Sequence, residues 1–348
     1  MQTWPYLPRL DSEAPTVQAA LKRDPEDFLV EEIPAYRLSG DGQHLFLRIE
    51  KRDVPAEGLL KHLARSLGVP QRDIGAAGMK DRRAITRQWV SVPAEAEARV
   101  ERINTESIRV LEVTRHKNKL KTGHLAANRF TIHARGIPSP IRDEVCEAAR
   151  RVGESGFPNY FGPQRFGREG NTAKQGLDLL KGQLRTGDLP RQRRRFLIRL
   201  AISAAQSMVF NTVLANRISD GRVATVFTGD VLQKTDSGGL FLCENPAVDQ
   251  LRLEAGELAL TGPMHGPKMR QADGEPAAWD DAGLQRWKLT AEQFEPFSRV
   301  AHGTRRPLLV RATDLNATPV TGGVRFTFTL PPGVYATVLL REIIGLEA

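Results

Sequence analysis

The sequence predicts an α+β protein built on a mostly antiparallel sheet. Strand-like runs recur through the first 150 residues, and regular crossover helices do not join them. A central stretch of different character follows, and the early style returns near Pro307. The 348 residues suggest about two domains. We read residues 1–154 and 304–348 as one discontinuous outer domain, with residues 155–303 inserted into it.

Phe28–Ile33 and His44–Lys51 read as strands, the second alternating Leu45, Leu47 and Ile49 against Phe46, Arg48 and Glu50. Asp53 and Pro55 open a helix with Leu59, Leu60, Leu63 and Leu67 on one face, closed by Gly68 and Pro70. Ala84–Val92, Ser107–Arg115 and Leu125–Ala134 are β-rich, and a helix fits Ala94–Ile103. Helix resumes over Ile141–Val152, behind Pro138 and Pro140. Glycine and proline make residues 153–170 a loop. Two helices, Thr172–Leu184 and Phe196–Ile218, flank the basic run Arg191–Arg195. Short strands are expected at Arg222–Phe227, Val231–Lys234 and Leu240–Cys243, and residues 261–281 read as loop. Strands Pro307–Ala312 and Gly323–Leu330 and a helix Tyr335–Leu346 complete the outer domain. The sequence shows no internal repeat and no low-complexity tract.

The net charge of +9 points to a polyanionic partner. The excess is spread as +4, +3 and +2 over residues 1–154, 155–303 and 304–348, which suits a broad basic face better than a basic tail. Two cysteines, Cys146 and Cys243, make no disulfide framework, and Met1–Asp11 lacks a signal-peptide pattern, so a cytoplasmic setting is expected. The most apolar stretch, Phe196–Ile218, is broken by Arg199, Ser203, Gln206, Ser207 and Asn211, which argues against a membrane span. The sequence has no Cys pair or His-Glu-x-x-His at metal-ligand spacing, no phosphate loop, no dinucleotide fingerprint and no nucleophile elbow. No metal and no cofactor are expected.

The densest candidate for chemistry is GMKDRRAITRQWVSV, Gly78–Val92. Asp81 sits among Lys80, Arg82 and Arg83, whose charges favour the ionised carboxylate. Such a group serves as a nucleophile or base on an RNA-like substrate, or as a loop salt bridge. Phe28 in KRDPEDFLVEEIP stands at the mouth of a strand. HLAANRFTI places Asn128 and Phe130 on or beside another, where an Asn amide offers both donors and an acceptor. FPNYFGPQRFG interleaves four aromatics with Gln164 and Arg165, and FTLPPGVYAT sets Tyr335 after a tight turn. Aromatics beside basic groups suit unstacked bases, although each ring alone also suits a core. The runs Arg115–Lys121 and Arg191–Arg195 are candidate phosphate contacts. In ISAAQSMVFN, Gln206 and Asn211 are unusual polar members of a packing helix.

Taken in chain order, from Lys22–Pro34 to Phe328–Thr337, these six blocks resemble the TruD-type tRNA pseudouridine synthases over nearly the whole chain. The resemblance implies a catalytic domain with a bifurcated antiparallel sheet flanked by helices, interrupted by an inserted α/β domain. It implies isomerisation of uridine 13 in tRNA to pseudouridine without a cofactor. It implies tRNA as partner, with no membrane and no protein partner indicated. Asp81 matches the family's catalytic aspartate, and Phe28, Asn128 and Tyr335 match positions that hold the target uridine. The last position is commonly Phe, so the Tyr335 hydroxyl is a departure. Asp81 would add to C1′, add to the uracil ring or abstract the 2′ proton, with Lys22 or Lys80 as its cation. A catalytically silent RNA-binding protein is the alternative, disfavoured by the joint presence of Asp81, Phe28 and Asn128. A metal-dependent nuclease is disfavoured because clustered acids are missing from the sequence.

Overall fold

The computed structural model describes residues 7–78 and 80–346. The first six positions of Met1–Asp11, and Met79 within Gly78–Val92, lie outside the described residues. In chain order, β1 (Phe28–Pro34) and β2 (His44–Arg52) precede α1 (Ala56–Leu67), β3 (Gly75–Ala76), β4 (Ile85–Pro93), β5 (Ile108–His116), β6 (Leu125–Arg135) and α2 (Arg142–Ser155). Then come β7 (Phe157–Pro158), α3 (Asn171–Leu180), α4 (Arg194–Ser219), β8 (Val231–Lys234), β9 (Leu240–Leu242), α5 (Pro246–Glu254), β10 (Leu258–Met264) and α6 (Gly274–Arg286). The last elements are β11 (Thr304–Pro307), β12 (Leu309–Val310), β13 (Thr313–Val320), β14 (Gly323–Leu330) and α7 (Ala336–Ile344).

The predicted α+β class holds. The larger sheet runs β13-β14-β6-β1-β4-β2-β5, with β3 added against β4. Its neighbours are antiparallel except β1 and β4, which run parallel. β4 pairs with β1 over Ile85–Arg87 and with β3 further along, at Val90 and Ser91. The sheet therefore forks beyond Arg87. The side chain of Glu32 occupies the fork, its carboxylate accepting the Trp89 N–H at 2.9 Å in place of a ladder bond. Gly75 is required where β3 closes in, because a Cβ there would lie 2.3 Å from the Leu120 carbonyl oxygen.

Period-2 alternation sorts the side chains on each arm of the fork. Phe28, Val30, Phe130 and Phe328 share one face and pack with buried residues of α2 and α7. On the other arm Leu45, Leu47 and Ile49 face the same way, into a second apolar cluster with Leu59, Leu63 and Leu67 of α1. The middle strands carry buried polar groups on that face: Glu32, Lys51, Thr86 and Gln88. Two apolar cores thus share this face of the sheet with a polar strip between them. The smaller sheet, β11-β10-β8-β9, is antiparallel throughout, so its architecture is also α+β. Its strand β11 uses residues Thr304–Pro307.

Several local expectations change. Ala94–Ile103 is a run of 3₁₀ turns, not an α-helix. Arg222–Phe227 forms no strand. The buried Arg217 guanidinium donates to the carbonyls of Arg222 and Thr225 at 3.2 Å, taking acceptors a neighbouring strand would use. Residues 261–281 are not loop throughout, since they hold the end of β10 and the start of α6. There Asp273 caps the helix by accepting the Gly274 N–H, and Pro276 falls in the first turn, where proline is tolerated. β13 and α5 were not expected at all. Helix α4 is long and apolar enough to cross a membrane, yet 72% of its most apolar window is buried within the protein.

Candidate functional site

A pocket of about 260 Å³ opens beside the fork. Phe28, Val30, Asn128 and Phe130 form its sheet wall, and Lys80 and Asp81 its loop wall. Gln164 and residues Gly333–Thr337 close the opposite side. The sequence-predicted residues Asp81, Phe28, Asn128, Tyr335, Lys80 and Phe130 therefore meet in one cavity, although about 250 residues separate Asp81 from Tyr335.

Each wall residue is held by something nameable. Phe28 follows a 3₁₀ turn, Pro25–Asp27, closed by the buried Asp27 carboxylate. That carboxylate accepts the Asp24 N–H at 3.0 Å and the Arg135 Nε–H at 2.8 Å. This explains the acids of the KRDPEDF block as a clamp on the strand mouth. The Phe28 ring meets Phe130 edge-on, centroids 6.1 Å apart, and Phe130 stacks on Phe328 at 5.2 Å.

Lys22 and Lys80 have different jobs. Lys22 Nζ donates to Asp81 Oδ2 at 2.8 Å while sitting 4.0 Å from the Phe28 ring centroid. It ties the carboxylate to the aromatic wall. Lys80 Nζ points the other way, pairing with Glu32 at 2.8 Å and donating to Asn128 Oδ1 at 2.7 Å. Because Lys80 takes the Asn128 carbonyl oxygen, the Asn128 NH₂ is the end left for a ligand. Asp81 is 46% exposed at the pocket mouth, and the buried Glu32 is paired, so Asp81 is the carboxylate a ligand meets.

A third lysine lies beneath. Lys51 is fully buried, and its Nζ donates to the backbone carbonyls of Asp81 and Val54, both at 2.8 Å. Burial pushes its ammonium down to about 8, against the pull of Asp81. The far wall hangs on Arg306, whose guanidinium donates to the carbonyls of Asn159 and Gly333 and lies 4.1 Å from the Phe161 ring centroid. Burial lowers this group to about 10, so it stays charged near neutrality. Phe161 in turn meets Tyr335 edge-on at 6.1 Å. Burial raises the Tyr335 phenol above its usual range, opposed by Arg165 and Arg306, so the hydroxyl keeps its proton. Arg165 is anchored on Ser203 and Ser207 of α4. Asn211, one of the unusual polar residues of that helix, brackets Phe161 by bonding both its N–H and its C=O at 2.9 Å. Gln206 serves elsewhere, donating to the His265 carbonyl.

Motif reading did not single out Glu32, Lys51 or Arg306. For two of them a signal was present. Glu32 continues the inward register of Phe28 and Val30, and Lys51 that of Leu45, Leu47 and Ile49. A charged residue at an inward strand position needs a partner. Arg306 offered no such sign, since its partners lie over 140 residues upstream and just beyond a later strand.

A family model described as tRNA pseudouridine synthase D (TruD) matches residues 10–187 and 191–343. A protein named tRNA pseudouridine synthase D from Anaeromyxobacter dehalogenans (strain 2CP-C) is 46% identical over 98% of this chain and 97% of its own length. One of the same name from Thermus thermophilus is 39% identical over 98% of this chain and 93% of its own. A solved structure titled as the putative tRNA pseudouridine synthase D (TruD) from Methanosarcina mazei shares the fold. Its TM-score is 0.73 at 24% identity, covering 96% of this chain and 95% of that one. This chain belongs to the TruD family of tRNA pseudouridine synthases.

Proposed function

We propose that this protein converts uridine 13 of tRNA to pseudouridine, in the cytoplasm, with Asp81 as the catalytic carboxylate. Membership of the family implies uridine-to-pseudouridine isomerisation in tRNA. The observation that carries the residue assignment is the Lys22–Asp81 pair, 2.8 Å apart at the mouth of an aromatic pocket. We also read residues 1–154 and 304–348 as the catalytic domain and 155–303 as the inserted one, in keeping with the larger sheet's strands at residues 28–135 and 313–330, with β11 at Thr304–Pro307 pairing back onto β10 of the insert.

The target base leaves its stack to expose the glycosidic bond. The C1′–N1 bond breaks, uracil turns in place, and a C5–C1′ bond forms. The C5 proton is then lost and N1 gains one, so atoms balance without redox chemistry or an outside group. Lys22 holds the Asp81 carboxylate in place through its hydrogen bond to Oδ2. Phe28, Phe130 and Tyr335 confine the freed ring so that re-bonding outruns escape, which is a proximity effect. The Asn128 NH₂ donates to a uracil carbonyl. Asp81 attacks C1′, attacks the ring or removes the 2′ proton; all three need it charged.

Tritium release from tRNA carrying [5-³H]uridine reports the loss of the C5 proton. The unaltered protein is expected to release tritium, and Asp81→Asn to bind tRNA yet release none above background. Equal release by both would overturn the Asp81 assignment. Binding without release by either would favour a catalytically silent RNA-binding protein.

A further inference from the structure

Phe196 is 53% exposed, one of few large apolar side chains so presented. A single exposed ring is unremarkable; its surroundings are not. The guanidinium of Arg193 lies 5.7 Å from its centroid, and Arg191, Arg195 and Arg199, within five residues of it in sequence, are exposed. Phe196 also has a defined direction relative to the pocket. Seven residues separate it from Ser203, two turns on the same face of α4 and about 10 Å along its axis. Ser203 holds Arg165, whose charge acts on Tyr335 in the pocket wall. One helix face thus leads from the pocket to an exposed ring set among arginines.

We propose that Phe196 is a stacking platform for the unstacked base of a nucleotide flanking the target uridine, with Arg193, Arg195 and Arg199 meeting the adjoining phosphates. This rests on the reading of the chain as a tRNA-modifying enzyme. The chemistry is sequence-tolerant, because every base presents a π face and every nucleotide a phosphate. It gives a reason for an aromatic residue in water at the head of a buried helix: bound RNA covers a ring otherwise left 53% exposed. A second copy of this chain is the competing occupant, disfavoured because two such arginine clusters would repel each other.

The test compares Phe196→Ala, Phe196→Leu and Phe196→Trp with the unaltered protein, using tRNA binding at several salt concentrations. Loss of the ring is expected to weaken binding roughly tenfold. The Leu variant should match the Ala variant, since bulk without a π face does not stack, and the Trp variant should restore affinity. The salt slope should not move, because no charge is removed. Added tRNA should quench the extra indole emission of the Phe196→Trp protein. Unchanged affinity in Phe196→Ala with unquenched emission in Phe196→Trp would overturn the proposal. So would self-association that depends on Phe196 while tRNA affinity does not. If the unaltered protein releases no tritium from tRNA, the functional reading falls and takes the platform with it. If it does release tritium and Phe196→Ala binds normally, only the platform falls.

Discussion

Lys51 is shut off from bulk solvent, and its ammonium donates to two backbone carbonyls, one of them that of Asp81. In the proposed mechanism it acts through Asp81 as a positioning residue. Replacing it by Met keeps the stem's volume and removes both donors, so the Asp81 loop loses its floor. Turnover is expected to fall about 100-fold, as for other small misplacements of a reacting group, while the tRNA dissociation constant stays within about twofold. Single-turnover tritium release checks this, and an unchanged rate would remove Lys51 from the account. Stability supplies a second readout. Burial lowers Lys51 from 10.5 to about 8, so between those pH values the unfolded chain binds a proton the folded protein has released. The penalty of the buried charge is therefore full below about pH 8 and fades as pH rises towards 10.5. Urea unfolding at pH 7 and pH 10 should show the unaltered protein gaining stability relative to Lys51→Met at the higher pH, on the order of 2 kcal/mol.

At the scale of elements, what could be read in advance depended on whether side chains or backbone secured each piece. Helix α1 was legible because its leucines recur on one face and Gly68 supplies the left-handed residue that ends it. Strand β13 was not, because it lies at the sheet edge with mostly exposed side chains and is held through backbone pairing with β14. The fork in the sheet is likewise a fact about backbone pairing. Phe28, Asp81, Asn128 and Tyr335 stood out in local motifs, whereas Glu32 and Lys51 took meaning only once strands were side by side. The stretch after α4 shows a side chain overruling strand propensity. Arg217 pairs with the buried Asp230 at 2.7 Å and bonds two carbonyls of the following segment. Arg217→Met leaves that carboxylate buried and unpaired, an arrangement that costs about 3–5 kcal/mol. Chemical denaturation should show a loss of that size, and a loss under about 1 kcal/mol would mean the segment keeps its turns without Arg217.

For the whole molecule, the +9 surplus indicated a polyanion, and the structure distinguishes two basic runs that looked alike in sequence. In Arg115–Lys121, Arg115 pairs with Glu97, Lys117 lies 3.6 Å from Asp41, and Lys119 donates to the Arg72 carbonyl. In Arg191–Arg195, Arg194 donates to the Gly187 and Leu189 carbonyls, whereas Arg191, Arg193 and Arg195 are exposed. Replacing Arg191 and Arg195 together by Ala should lower the log–log salt slope of tRNA binding by about 1 to 2, as expected for two phosphate contacts. Replacing Lys117 and Lys119 should leave it nearly unchanged. A larger effect from the second pair would reverse the assignment.

The pocket joins residues from distant parts of the polypeptide: one wall is complete by Phe130, and the other waits for Arg306 and Tyr335. Strand β6, which carries Asn128, has β14 as its partner on one side, and β14 is synthesised some 190 residues later. During translation the early half emerges with that edge unpaired and a carboxylate facing no opposing wall. Competence is therefore all or nothing in time. On the proposed function, a ribosome-bound fragment that stops before β14 has basic surface to hold RNA but no chamber in which to turn a base.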